Sequence, residues 1–154
     1  MQIVIQFGIS RLSSALWIDS WNTLYPGVVT SPNYSLHYPN NIEKLMKIQV
    51  ESGKILILEF TFFEVVGELQ SECQNFDFVK IIDGDGTTLM DKSCGFFLED
   101  PSSSWYFQLP AVITSDSNTV EIIFHTDGYD TRTGWSLSWS AVSKKWKYWR
   151  KKWK

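Results

Sequence analysis

Histidine is scarce in this 154-residue chain, with two residues, His37 and His125. That excludes a His-Glu-x-x-His metalloprotease helix, and two cysteines with two histidines at these spacings make no zinc finger. Gly-x-Ser-x-Gly elbows and Walker loops are missing as well. A Ser-His-Asp triad draws its members from anywhere in a chain, but nothing here points to one. His125 falls in a strand-like run and reads as a half-buried structural residue, so no catalytic residues and no enzyme are expected. There is no run of about 20 apolar residues, so no transmembrane helix is expected. Charge is sparse, at 20% of residues, while aromatics reach 16%; disordered chains show the opposite balance.

Cysteine is equally thin. In a reducing compartment Cys73 and Cys94 would be buried thiols. In a secreted chain they would close a loop of about 20 residues, worth roughly 3 kcal/mol. Asn33-Tyr34-Ser35 is a glycosylation sequon and makes Asn33 a candidate acceptor in a secreted surface loop. The first nine residues are apolar and lack a basic flank. A remnant signal peptide, an edge strand and a misplaced start all remain open for them.

Basic residues are short in the body and crowded at the end. Residues 1–143 hold all 17 acids and seven basic residues, a net charge of −10; residues 144–154 hold the other seven basic residues, +7. A body this acidic is no nucleic-acid module by its field.

What fills the chain is short apolar runs between turns, the pattern of an all-β protein. Ile55 to Phe62, Phe76 to Ile82, Thr119 to His125 and Trp135 to Ser140 read as strands. Period two puts Trp135, Leu137 and Trp139 on one face. Prolines 26, 32, 39, 101 and 110 fall between such runs. About 115 residues of short strands predict two packed antiparallel sheets. Asp83-Gly84-Asp85-Gly86 reads as a turn, since the calcium loop it partly matches would need further ligands and flanking helices. Three other acids stand near strand ends: Glu68, Asp77 and Asp127. Strand ends of a sandwich converge on loop clusters. On the residues alone these are either solvated turn acids or the carboxylates of a Ca²⁺ site.

Six motifs in order resemble the CUB domain, an extracellular β-sandwich module. They are Gly27-Val28-Val29-Thr30-Ser31-Pro32-Asn33-Tyr34, Tyr38-Pro39-Asn40, Phe76-Asp77-Phe78-Val79-Lys80-Ile81 with Asp83-Gly84, Cys94-Gly95, Phe124-His125-Thr126-Asp127, and Gly134-Trp135. The resemblance covers residues 22–142, after an N-terminal extension 1–21 and before a tail 143–154. It implies a jelly-roll-like sandwich and a Cys73–Cys94 disulfide. It also implies a Ca²⁺ site whose metal ligands are Glu68, Asp77 and Asp127, with Tyr38 supporting a ligand carboxylate and a carbonyl of 128–130 completing the shell. Glu64 is the alternative to Glu68. The family's earlier cysteine pair is absent, and Met46 stands near where a core residue of that region is usual. The first CUB domains of complement-activating proteases also lack that pair, and Asn41-Ile42-Glu43-Lys44 resembles them. The implied function is calcium-dependent docking of a Lys or Arg from a partner protein.

The tail falls outside the CUB pattern. As a helix it would set Trp146, Trp149 and Trp153 on one face among cations. Lys145, Trp146, Lys147, Trp149, Arg150, Lys151, Lys152 and Trp153 are therefore candidates for binding an anionic membrane or a sulfated glycan. A solvated end, or a tail folded onto the chain's own acidic loops, is the competing expectation.

Overall fold

A computed structural model describes residues 16–19, 27–67, 72–96 and 112–145. Among the described residues ten strands follow one another: β1 (Leu16–Asp19), β2 (Gly27–Thr30), β3 (Glu43–Gln49), β4 (Lys54–Val65), β5 (Phe78–Asp83), β6 (Thr88–Ser93), β7 (Gly95–Phe96), β8 (Ile113–Thr114), β9 (Thr119–His125) and β10 (Gly134–Ser143). They form two sheets. One runs β1-β3-β9-β5-β6; the other runs β2-β10-β4-β7, with β8 also pairing β4. The pairings are antiparallel except at one edge, where β1 lies parallel to β3, Leu16 opposite Met46. Apart from a 3₁₀ turn at Glu72–Gln74 and the two residues after β10, no helix occurs among the described residues.

Alternation builds the core. In β9, Val120, Ile122 and Phe124 are buried while their neighbours are partly exposed. In β10, Trp135, Leu137 and Trp139 point inward as period two requires. The β10 residues join Val120, Ile122 and Phe124 of β9, with Met46, Ile48, Val79 and Ile81, all of the opposite sheet, in one apolar cluster, so the core lies between the sheets. Met46 is buried in that core. Burying side chains of this size removes about 1.5–3 kcal/mol each of unfavourable hydration.

Both sheets contribute strand ends to the same pole. β4 ends there, β5 begins there, β9 ends there and β10 begins there; the segment 31–42 crosses above them. Ser31 N–H donates to the Trp135 carbonyl, Tyr38 N–H to Arg132 O, and Asn41 N–H to Asp127 O at 2.7 Å. Those bonds fasten the crossing segment to the loop that follows β9 and to the start of β10. The opposite pole carries the Asp83-Gly84-Asp85-Gly86 turn. There Asp83 accepts from the N–H groups of Gly84, Asp116 and Ser117 and from the Ser117 hydroxyl.

Candidate functional site

Asp77 sits immediately before β5, completely buried. One of its oxygens accepts the Tyr38 hydroxyl at 2.6 Å, and the other accepts the backbone N–H of Asp127 at 2.8 Å. Tyr38 itself is buried. Its hydroxyl oxygen accepts the Val66 N–H at 2.9 Å, so a single oxygen ties the end of β4 to Asp77. An edge-on aromatic chain supports the ring: Tyr38 against Phe124 at 5.1 Å and Phe124 against Trp135 at 5.9 Å.

Asp127 lies two residues beyond β9. Its side chain turns back to accept the Tyr129 N–H at 2.8 Å, which closes the loop 127–129. Asn40 Nδ2 donates to the Gly128 carbonyl at 3.3 Å, and a Cβ at Gly128 would press on Asn41 Oδ1 at 3.3 Å. Thr126 Oγ1 completes the clamp, accepting from Ile42 N–H and donating to Pro39 O, each at 2.9 Å.

The electrostatics are one-sided. Burial pushes the Asp77 carboxyl above the ordinary carboxylate range, opposed by its bonds from Tyr38 and Asp127 N–H; the nearby Asp127 charge raises it further. Burial, and then the bond to Asp77, push the Tyr38 phenol far up, so it stays a proton donor. None of the ion pairs among the described residues involves Asp77 or Asp127. His125, the nearest histidine along the chain, is held at 2.5 Å by Glu43 and stacked on Phe78, an anchored strand residue.

Of the residues singled out by sequence, Tyr38, Asp77 and Asp127 meet at this pole. Glu68 lies outside the described residues. Glu64 is in β4 and accepts the Thr133 N–H at 3.2 Å. Cys73 and Cys94 are bonded, across a separation of 21 residues. Asn33 is exposed in the crossing segment and Lys145 just beyond β10; residues 146–154, with Trp146, Lys147, Trp149, Arg150, Lys151, Lys152 and Trp153, lie outside the described residues. Sequence reasoning named Asn40, Asn41 and Thr126 only as members of motifs, with no role in the site, and did not name Val66. Asn40-Asn41 after Tyr38-Pro39 was the available signal, since asparagine adopts the left-handed backbone that Asn41 shows at φ 57.

A two-sheet sandwich with a tyrosine–carboxylate cluster at one pole defines the class. The CUB domain family model matches residues 20–139, and the chain belongs to that family. Human cubilin is 34% identical over 122 residues, 76% of this chain but 3% of cubilin, so the chain spans a small part of the curated relative it matches. Among solved structures, the human MASP-1/3 CUB1-EGF-CUB2 region superposes with a TM-score of 0.65 at 28% identity, covering 82% of this chain and 41% of that one. The MASP-1 CUB2 domain, a structure bound to Ca²⁺, gives 0.63 at 25% identity and covers 79% of this chain and 96% of its own.

Proposed function

We propose that this chain is a secreted, non-catalytic binding module. It docks a Lys or Arg of a partner protein on a carboxylate cluster organised by Ca²⁺, with Asp77, Asp127 and Glu68 as the metal ligands. One observation carries the reading. Asp77 is fully buried, next to a second acid, with two hydrogen bonds and no ion-paired Lys or Arg among the described residues. A carboxylate in that position is costly to ionise unless positive charge is supplied.

The donor set fits calcium: carboxylate and carbonyl oxygens on loops, with no nitrogen or sulfur among them. Bound there, the ion would supply the positive charge that lets the two aspartates stay ionised together. Tyr38 holds one Asp77 oxygen and the Asp127 N–H the other, so Asp77 is oriented before any ligand arrives. The Asp127 loop is held by Asn40 and by the Asn41 N–H. The partner's ammonium or guanidinium would donate charge-assisted hydrogen bonds to the carboxylate oxygens, contacts that weaken with salt. The Ca²⁺-bound MASP-1 CUB2 structure, similar over most of its length, supports the reading.

The test is a melting curve of the full chain at rising calcium, from a chelated baseline. Ligand binding to the folded state alone raises stability by mass action, so Tm climbs with calcium. Asp77→Ala and Asp127→Ala remove the climb. A Tm that ignores calcium in the wild type ends this reading. Glu68→Ala removes the climb where Glu64→Ala leaves it; the reverse pattern exchanges the two residues.

A second reading makes the basic-aromatic tail the working part, directed at an anionic membrane or a sulfated glycan, with the sandwich as its carrier. It is favoured by where the tail starts: Lys144 N–H donates to Gly53 O, at the pole away from Asp77. Removing residues 144–154 separates the two, since calcium docking survives the deletion and surface binding does not.

A further inference from the structure

We propose that Asn33 carries an N-linked glycan and that this glycan covers the exposed apolar surface of Tyr34 and Phe62, with exposed Leu36 in the same turn. The proposal stands apart from the calcium reading.

The acceptor triplet is accessible. Asn33, Tyr34 and Ser35 are all exposed, in a turn closed by Tyr34 N–H to Ser31 O and Leu36 N–H to Asn33 O. The Asn33 side-chain amide and the Ser35 hydroxyl make no hydrogen bond among the described residues. Asn33 has φ 60, a left-handed backbone that asparagine tolerates. The turn therefore accounts for an asparagine at 33, but it makes no demand for a hydroxyl at 35. The Cys73–Cys94 bridge is the chemistry of the compartments in which such glycans are attached.

Beside the triplet lies exposed apolar surface. Leu36 is 73% exposed, Tyr34 37% and Phe62 36%. The Tyr34 and Phe62 rings meet at 5.6 Å. Next to Phe62 the sheet carries hydroxyls, with exposed Val28 further along opposite Ser138: Phe62 stands opposite Ser136, Thr61 Oγ1 bonds to Ser136, and Ser138 Oγ donates to Glu59 O. Exposed aromatic surface next to hydroxyl groups suits an amphipathic cover. A sugar is such a cover, laying its C–H face on the rings and its hydroxyls outward. The turn places its point of attachment next to Tyr34.

The attachment balances without redox change. Asn33 Nδ2 displaces pyrophosphate from the anomeric carbon of a lipid-linked oligosaccharide pyrophosphate. The C–N bond forms and the anomeric C–O bond breaks. The amide proton and the lipid pyrophosphate leave.

The full chain is secreted from animal cells, and its intact mass is taken before and after native treatment with peptide N-glycosidase. A glycosidase-sensitive mass is expected on wild type and on Ser35→Thr, and is lost in Ser35→Ala and Asn33→Gln. Ser35→Ala is the cleaner loss because it leaves the φ-positive asparagine in place. Native deglycosylation should then raise the fluorescence of an apolar-surface dye, and Phe62→Ser should remove that rise. An unmodified Asn33 on secreted wild type overturns the proposal; so does a glycan whose removal leaves dye fluorescence unchanged. The calcium-dependent Tm of Ser35→Ala matches wild type whenever calcium binds at all, so failure here is distinct from failure of the docking reading.

Discussion

Tyr38 does three things with one side chain. Its ring packs on Phe124, its oxygen accepts the Val66 N–H, and its proton goes to Asp77. Tyr38→Phe keeps the packing and strands the other two partners. Losing a buried partner costs about 1–3 kcal/mol per group left unpaired, so chelated Tyr38→Phe should fall in urea stability by that order and show a weaker calcium response. Asp77 makes a pH prediction. Its folded carboxyl is raised chiefly by burial, so the folded chain holds that proton to higher pH than the unfolded chain does. Without metal, Asp77 therefore contributes most in acid, and its contribution falls as pH rises from the ordinary carboxylate pKa through the raised one. In urea melts with chelator, wild-type stability minus that of Asp77→Asn should decline across that window; a difference that rises with pH contradicts the assignment. Calcium needs the ionised form, so its effect on Tm should shrink as pH drops into the same window. Asp77 and Asp127 were legible in the sequence because each sits in a short motif at a strand end. The Val66 N–H and Asn41 N–H were not, because a backbone donor in a loop leaves no trace in residue type.

At the scale of elements, what could be read was what alternates. β9 follows period two over all seven residues, and β10 keeps its large apolar residues at every second position from Trp135 to Trp139, long enough for the inward face to declare itself. β7 and β8 have two residues each, too few for any period, and exist because β4 offers them an edge. β4 was legible only in part. Its alternation breaks where Thr61 and Phe62 are both exposed, and the register with β10 shifts there between Ser136 and Leu137. Such a bulge is a property of the pair and cannot be read from either strand alone. Beyond it, Phe63 and Val65 resume the inward positions, so the strand outruns the Ile55-to-Phe62 reading. At the start of β10, Gly134 has φ 90, and a Cβ there would overlap the Ser31 hydroxyl, which accepts the Trp135 N–H at 3.0 Å. Gly134→Ala combines backbone strain of about 1–3 kcal/mol with loss of that anchor. Its Tm should drop well below that of Gly86→Ala, which has φ 90 and open space around it. The disulfide spans the 3₁₀ turn, the approach to β5 and the β5–β6 hairpin. Breaking a bridge over 21 residues should cost roughly 3 kcal/mol, measured as the urea midpoint of the Cys73→Ala, Cys94→Ala double variant.

The whole molecule is polarised. The ten residues of β10 run from the carboxylate pole to the far one, about 30 Å at strand rise. Gly134 begins it beside Tyr38, and Lys144 follows it beside Gly53. The chain's seven clustered cations are thus rooted a full strand length from Asp77 and Asp127. The acids near that root are different ones: Asp85 and Asp116 line a polar cleft there with Lys54 and Lys144. The Asp85 carboxyl is held low, first by the Thr87 N–H, with Lys144 a smaller contributor. A tail pairing with its own domain would meet these acids first, so the carboxylate pole is expected to work independently of the tail. The prediction concerns that independence. A chain ending at Ser143 should keep the full calcium-dependent rise in Tm of the intact chain. It should also lose retention on anionic vesicles and on immobilised heparin alike, since the body left behind carries a net charge of −10. In the intact chain that retention should fall steeply with salt and be indifferent to calcium. Tryptophan emission shifting blue on vesicles but not on heparin would assign the tail to membranes. A truncated chain that loses its calcium response would mean the two poles are coupled, and the separation argued from β10 would be wrong.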